Sequence, residues 1–100
     1  MDGNTSIIDK LLAGQVHGIS DLEKLRLEHI KSGITTSAFI KNVEKISQSN
    51  LSNELKNENK AFAYWICGQY KLIIESTKLE NGSALAQFVL GHSHLCRSEY

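Results

Sequence analysis

Apolar residues in this chain recur at helical spacing, in short blocks separated by Gly, Ser and Asn. That periodicity restricts the fold more than any other feature. Ile7, Ile8, Leu11 and Leu12 form the first block, and Leu22, Leu25, Leu27, His29 and Ile30 the second. Phe39, Ile40, Val43 and Ile46 follow, then Leu51 and Leu55, and finally Ala84, Leu85, Phe88, Val89 and Leu95. Intervals of three and four residues place such sets on one side of an α-helix. Proline is absent from all 100 residues, against a loop-rich or polyproline chain. The expected fold is a single all-α domain over residues 1–100, a compact bundle of five or six short helices.

Capping chemistry places the boundaries. Asn4-Thr5-Ser6 supplies N-cap residues for the first helix, and Gly14 or Gly18 ends it. Ser20-Asp21-Leu22-Glu23 reads as a capping box for the second, and Ser32-Gly33 stops it. Thr35, Thr36 or Ser37 caps the third, and Ser47 or Ser49 a short fourth that carries Leu51 and Leu55. Asn57-Glu58-Asn59 reads as a polar break. The fifth element, Lys60 to Glu80, is apolar nearly all round between Ala61 and Cys67, which makes it the central helix. A β-hairpin over residues 61–74 stays open, because Gly68-Gln69 between β-formers is a type II′ turn signal. The lack of a third strand favours helix. Asn81-Gly82 stops the fifth helix, Ser83 caps the sixth, and residues 60–96 form a C-terminal helical pair with a polar tail from Arg97.

Eleven Lys and Arg balance eleven Asp and Glu. A neutral chain is neither a strongly basic nucleic-acid binder nor an acidic decoy. The opening MDGNTSIIDKLLAG has an acid after Met1 and a broken apolar run, unlike a secretory signal. No apolar run approaches the ~20 residues that span a bilayer. No membrane association is therefore expected, and the expected compartment is the cytoplasm. Cys67 and Cys96 are then free thiols, with one disulfide as the alternative for an exported chain.

Two His and a Cys crowd into His92-Ser93-His94-Leu95-Cys96, residue types that zinc favours. In a helix His92 and His94 point apart and only His92 and Cys96 share a face; in an extended tail all three do, with Cys67 available from afar. The expectation is no metal and no cofactor, with His92 and Cys96 on the apolar side and His94 exposed. His29, beside an apolar stripe, is expected as a core histidine. No nucleophile elbow, Gly-rich phosphate loop or paired-carboxylate signature occurs, so no enzymatic activity is expected.

Gly33-Ile34-Thr35 leads into one helix, and Ile46-Ser47-Gln48-Ser49-Asn50-Leu51-Ser52 reads as the opening of the next. Residues 33–57 thereby resemble the helix-turn-helix of lambda-repressor- and Cro-type regulators. The resemblance implies a DNA-binding regulator acting as a homodimer. It implies that Leu51 packs inward while Ser47, Gln48, Ser49, Asn50, Asn53 and Lys56 face the major groove. Gln and Asn can bond adenine bidentately there, and Ser serves as a small donor or acceptor.

A second reading starts from the run Ala61 to Tyr70, more aromatic than one core stripe requires. Tyr64, Trp65 and Tyr70 would then reach a surface suited to a protein partner, where Tyr and Trp are favoured anchors. That reading describes a non-catalytic interaction module of the chaperone, immunity, adaptor or inhibitor kind.

Overall fold

Side-chain oxygens at the helix starts and glycines at the helix ends divide this chain into short helices. A computed structural model of the chain describes residues 3–79 and 82–98, and every regular element among them is an α-helix. In chain order these are α1 (Gly3–Leu12), α2 (Ile19–Ser32), α3 (Thr36–Ser47), α4 (Asn53–Ile66), α5 (Tyr70–Ser76) and α6 (Ala84–Ser98). The expected all-α bundle is what forms.

The hydroxyl of Thr35 accepts from the Ala38 N–H, that of Ser52 from Leu55 and that of Ser83 from Ala86. Each contact satisfies one orphan donor of a helix start. The second helix departs from expectation. It starts at Ile19 behind Gly18, so Ser20 already lies inside it and no side-chain cap forms. Asp21 instead accepts the N–H of His17 at 2.9 Å. Asn4, Thr5 and Ser6 likewise lie within α1 rather than ahead of it. Of the expected stop at Asn81-Gly82, Asn81 lies outside the described residues, as does Glu80.

The largest correction concerns residues 47–80. Neither Ser47 nor Ser49 starts a helix; Ser52 does, and α4 runs unbroken through Asn57-Glu58-Asn59. Asn57 and Glu58 do not interrupt the helix because their side chains reach the connection after α5. Asn57 donates to the Lys78 carbonyl at 2.6 Å and accepts the Lys78 N–H at 3.1 Å, while Ser83 donates to Glu58 at 2.8 Å. The break falls instead at Gly68, whose φ of 76° lies in the left-handed region. Gln69 N–H bonds the Tyr64 carbonyl at 2.8 Å and Gly68 N–H the Trp65 carbonyl at 3.1 Å, the paired closure of a Schellman motif. The expected continuous helix over 60–80 is therefore two helices meeting at a corner, and residues 61–66 and 70–76 form no hairpin.

Helix α4 packs against every other described helix. Its Ala61, Phe62, Ala63, Trp65 and Ile66 are buried together with Ile7, Ile8 and Leu11 of α1 and Phe39, Val43 and Ile46 of α3. Leu22 and Leu25 of α2, Ile73 of α5 and Ala86 and Val89 of α6 complete the same core. The segment expected to be central is central, with its boundaries moved. No helix of the described residues is long and apolar enough to cross a membrane.

Candidate functional site

Trp65 sits in the last turn of α4, where the Schellman closure fixes the backbone. It is only 3% exposed. From α2, the Arg26 guanidinium lies over the indole, 3.8 Å from the ring centroid. Its Nη2 donates to the Trp65 carbonyl at 2.7 Å and to the Tyr70 hydroxyl, at the start of α5, at 2.6 Å. Cation–π stacking and two charge-assisted hydrogen bonds thus hold one cation in one place. Among the described residues Arg26 meets no carboxylate within ion-pair distance; the ion pair found there joins Lys10 and Glu28.

On the other side of the indole, Trp65 Nε1–H donates to His92 Nδ1 at 2.9 Å. A neutral imidazole that accepts at Nδ1 carries its proton on Nε2. That nitrogen is 3.7 Å from Cys96 Sγ. Its proton therefore points at sulfur, and its lone pair is not free to hold a metal in this tautomer. The His92 ring meets Tyr70 edge-on at 5.5 Å and lies parallel to Phe88 at 5.9 Å. His94 is exposed, while His92 and Cys96 are half-buried. Cys67 and Cys96 are free thiols.

A cavity of about 420 Å³ opens beside Arg26, between α2 and the α4–α5 corner, with Ile30, Ile34, Ile66 and Tyr70 in its lining. His29 and Cys67 also line it. His29 is 7% exposed, packs on the Phe39 ring at 4.7 Å, and its Nδ1 has no hydrogen-bond partner among the described residues. Burial lowers its pKa. Burial also pushes the Cys67 thiol up to about 11, so it stays protonated at neutral pH.

Large apolar side chains are exposed beside this cluster. Ile30 is 64% exposed on α2, and Phe88 and Leu95 are 47% and 66% exposed on α6. Phe88, His92 and Leu95 stand at i, i+4 and i+7 on one side of α6. Ile30 shares the cavity with Tyr70, Tyr70 touches His92, and His92 touches Phe88. An exposed apolar strip therefore runs from α2 across the corner to α6, with Arg26 at its middle.

The residues singled out from sequence are placed unevenly. Trp65 was expected at the surface and lies inside it, because Arg26 and His92 cover its two sides. Tyr70 is half-buried within the strip. Tyr64 faces elsewhere, lining a second cavity of about 340 Å³ with Glu44, Ser47, Gln48 and Lys60. Burial raises the Tyr64 pKa, with Cys67 and Glu44 adding to the shift.

The implied recognition helix is divided. Ser47 ends α3, Gln48 is its C-cap, and Asn53 and Lys56 lie in the first turn of α4. Between them Ser49 donates to the Ile46 carbonyl at 2.6 Å and accepts the Leu51 N–H at 3.4 Å, closing a turn rather than opening a helix. Asn50 is exposed in that turn, and Leu51 is half-buried.

Sequence reasoning missed Arg26 and Phe88 as site residues and read His29 only as core. One signal was present. Leu22, Arg26 and His29 stand at i, i+4 and i+7, which puts a cation on the apolar side of α2.

Comparison with protein-family profiles, curated proteins and solved structures found no match.

Proposed function

We propose that the protein is a non-catalytic binding module that docks a protein segment along the strip from Ile30 to Leu95. The segment presents an apolar face with one acidic side chain for Arg26. The observation that carries this is Arg26 itself, a cation fixed over Trp65 with no carboxylate partner among the described residues. Fixing the guanidinium beforehand reduces the ordering entropy that a partner must overcome. Arg and Tyr beside large exposed apolar side chains is the composition of interface anchors. Two free thiols suit a reducing compartment such as the cytoplasm. The docking reading is preferred to DNA binding because Gln48, Ser49 and Asn50 form a turn, whereas base readout in the resembled family needs them on a helix.

The test is selection of peptides of about 12 residues from a random display library. Selected peptides are expected to share an acid flanked by apolar residues. Phe88→Asp and Arg26→Gln are each expected to weaken them by at least about tenfold, the scale of one lost anchor. Peptides that bind both variants like the parent protein overturn the reading. So does low-salt binding to mixed-sequence duplex DNA that Gln48→Ala and Lys56→Glu abolish, which supports the regulator instead.

A further inference from the structure

We infer that the cavity between α2 and the α4–α5 corner is a ligand site for a compact apolar carboxylate, with charge and branched hydrocarbon body on one small unit. Three observations specify that chemistry. The apolar part of the lining is Ile30, Ile34 and Ile66. The charged part is Arg26, whose Nη2 is occupied by Trp65 and Tyr70 and whose Nε and Nη1 have no partner among the described residues. The Tyr70 hydroxyl accepts from Arg26, so its own proton remains to be donated to a ligand oxygen. Two kinds of donor thus converge beside a branched-aliphatic wall, the usual anatomy of a small-ligand pocket.

Placement and charge narrow the ligand class. Arg26 and the three Ile side chains line the same cavity of about 420 Å³, so an acid with carboxylate and branched hydrocarbon on one unit meets both at once. Burial keeps His29 and Cys67 uncharged at pH 7, and Arg26 is the one Lys or Arg of the lining, which leaves one positive charge. One guanidinium neutralises a monoanionic carboxylate in full and a phosphate dianion only in part. A free branched-chain hydroxy acid and the C-terminal residue of a peptide both present this chemistry. The site goes beyond the docking strip, because a ligand confined to the cavity does not touch Phe88 or Leu95.

The full chain is titrated with 2-hydroxy-4-methylpentanoate, N-acetyl-leucine, N-acetyl-leucinamide and inorganic phosphate. Binding is read by calorimetry and by fluorescence of Trp65, the chain's single tryptophan. Saturable binding of at least one acid is expected, with the uncharged amide at least about tenfold weaker and no binding of phosphate. Preference for N-acetyl-leucine identifies a peptide C-terminus as the source, and preference for the hydroxy acid a free metabolite. Arg26→Lys keeps the charge but loses the fork, and is expected to weaken binding by about tenfold. Ile34→Phe fills the cavity without touching Arg26 and gives the same loss if Arg26→Lys does not fold. Phe88→Asp leaves acid binding unchanged, which separates this site from the docking face. The inference is overturned if neither acid binds at millimolar concentration, if the amide or phosphate binds as well as the acids, or if Ile34→Phe has no effect.

Discussion

His29 is a histidine that the fold keeps neutral, and its cost should be measurable. Burial lowers its pKa from the ordinary 6.5. Above about pH 6.5 the ring is neutral in both the folded and unfolded chains. Below that, the unfolded chain takes up its proton first, and stability is lost as pH falls toward the folded pKa. His29→Leu removes both this dependence and the orphaned Nδ1, which costs roughly 1–3 kcal/mol when buried without a partner. Urea unfolding is expected to show the variant more stable by about 1 kcal/mol at pH 7.5, after some loss of fit against Phe39. The parent should lose more stability than the variant on going to pH 5.5. A variant less stable at pH 7.5 would mean that His29 has a compensating partner. Cys67 gives a second expectation at this scale. With its thiol at about 11, against an ordinary value of 9.0, its thiolate fraction at pH 8 falls by about 100-fold. Alkylation by iodoacetamide, mapped by mass spectrometry, should slow at Cys67 by that factor relative to the urea-unfolded chain.

Gly68 decides the geometry between two elements. A Cβ placed there meets nothing within 4 Å, so any penalty for substitution comes from the backbone alone. A left-handed conformation costs an L-residue roughly 1–2 kcal/mol. Gly68→Ala is expected to lower stability by about 1 kcal/mol and Gly68→Asn by less, because Asn tolerates that region. Equal losses for the two variants would show that something other than φ is strained. The same corner shows where sequence reading stops. Helix α3 was legible because Phe39, Val43 and Ile46 lie on one stripe and Thr35 supplies the cap, both local properties. The break at Gly68 was legible only as the turn of an alternative hairpin, because an apolar run on either side reads as one helix until α5 turns to bury Ile73. Asn57 and Glu58 misled in the opposite sense. They look like a break, but Lys78 and Ser83 satisfy them across 21 and 25 residues. The site was legible in the same partial way. Tyr70 stood out through its aromatic neighbourhood, whereas Arg26 acquires meaning only from Trp65, 39 residues away.

One helix in contact with every other makes the molecule a single cooperative unit. Because α4 packs against α1, α2, α3, α5 and α6, no described helix can leave without exposing part of the surface that α4 buries. A single domain of this size then unfolds without populated intermediates. Trp65 and Phe62 test this, because both lie on α4 but face different surroundings. Trp65 meets Arg26 and His92, whereas Phe62 lines a cavity with Leu11, Leu55 and Leu85. Phe62 is 6% exposed, and truncating such a ring to Ala costs about 3–5 kcal/mol through lost burial and a residual cavity. If α4 is a common core, Phe62→Ala lowers the urea midpoint read by Trp65 fluorescence as far as the midpoint read by helical circular dichroism. The two curves should superimpose in both proteins. A fluorescence transition that stays in place while the dichroism transition moves would divide the bundle into a Trp65 half and a Phe62 half. The docking strip would then belong to a unit that folds without α1.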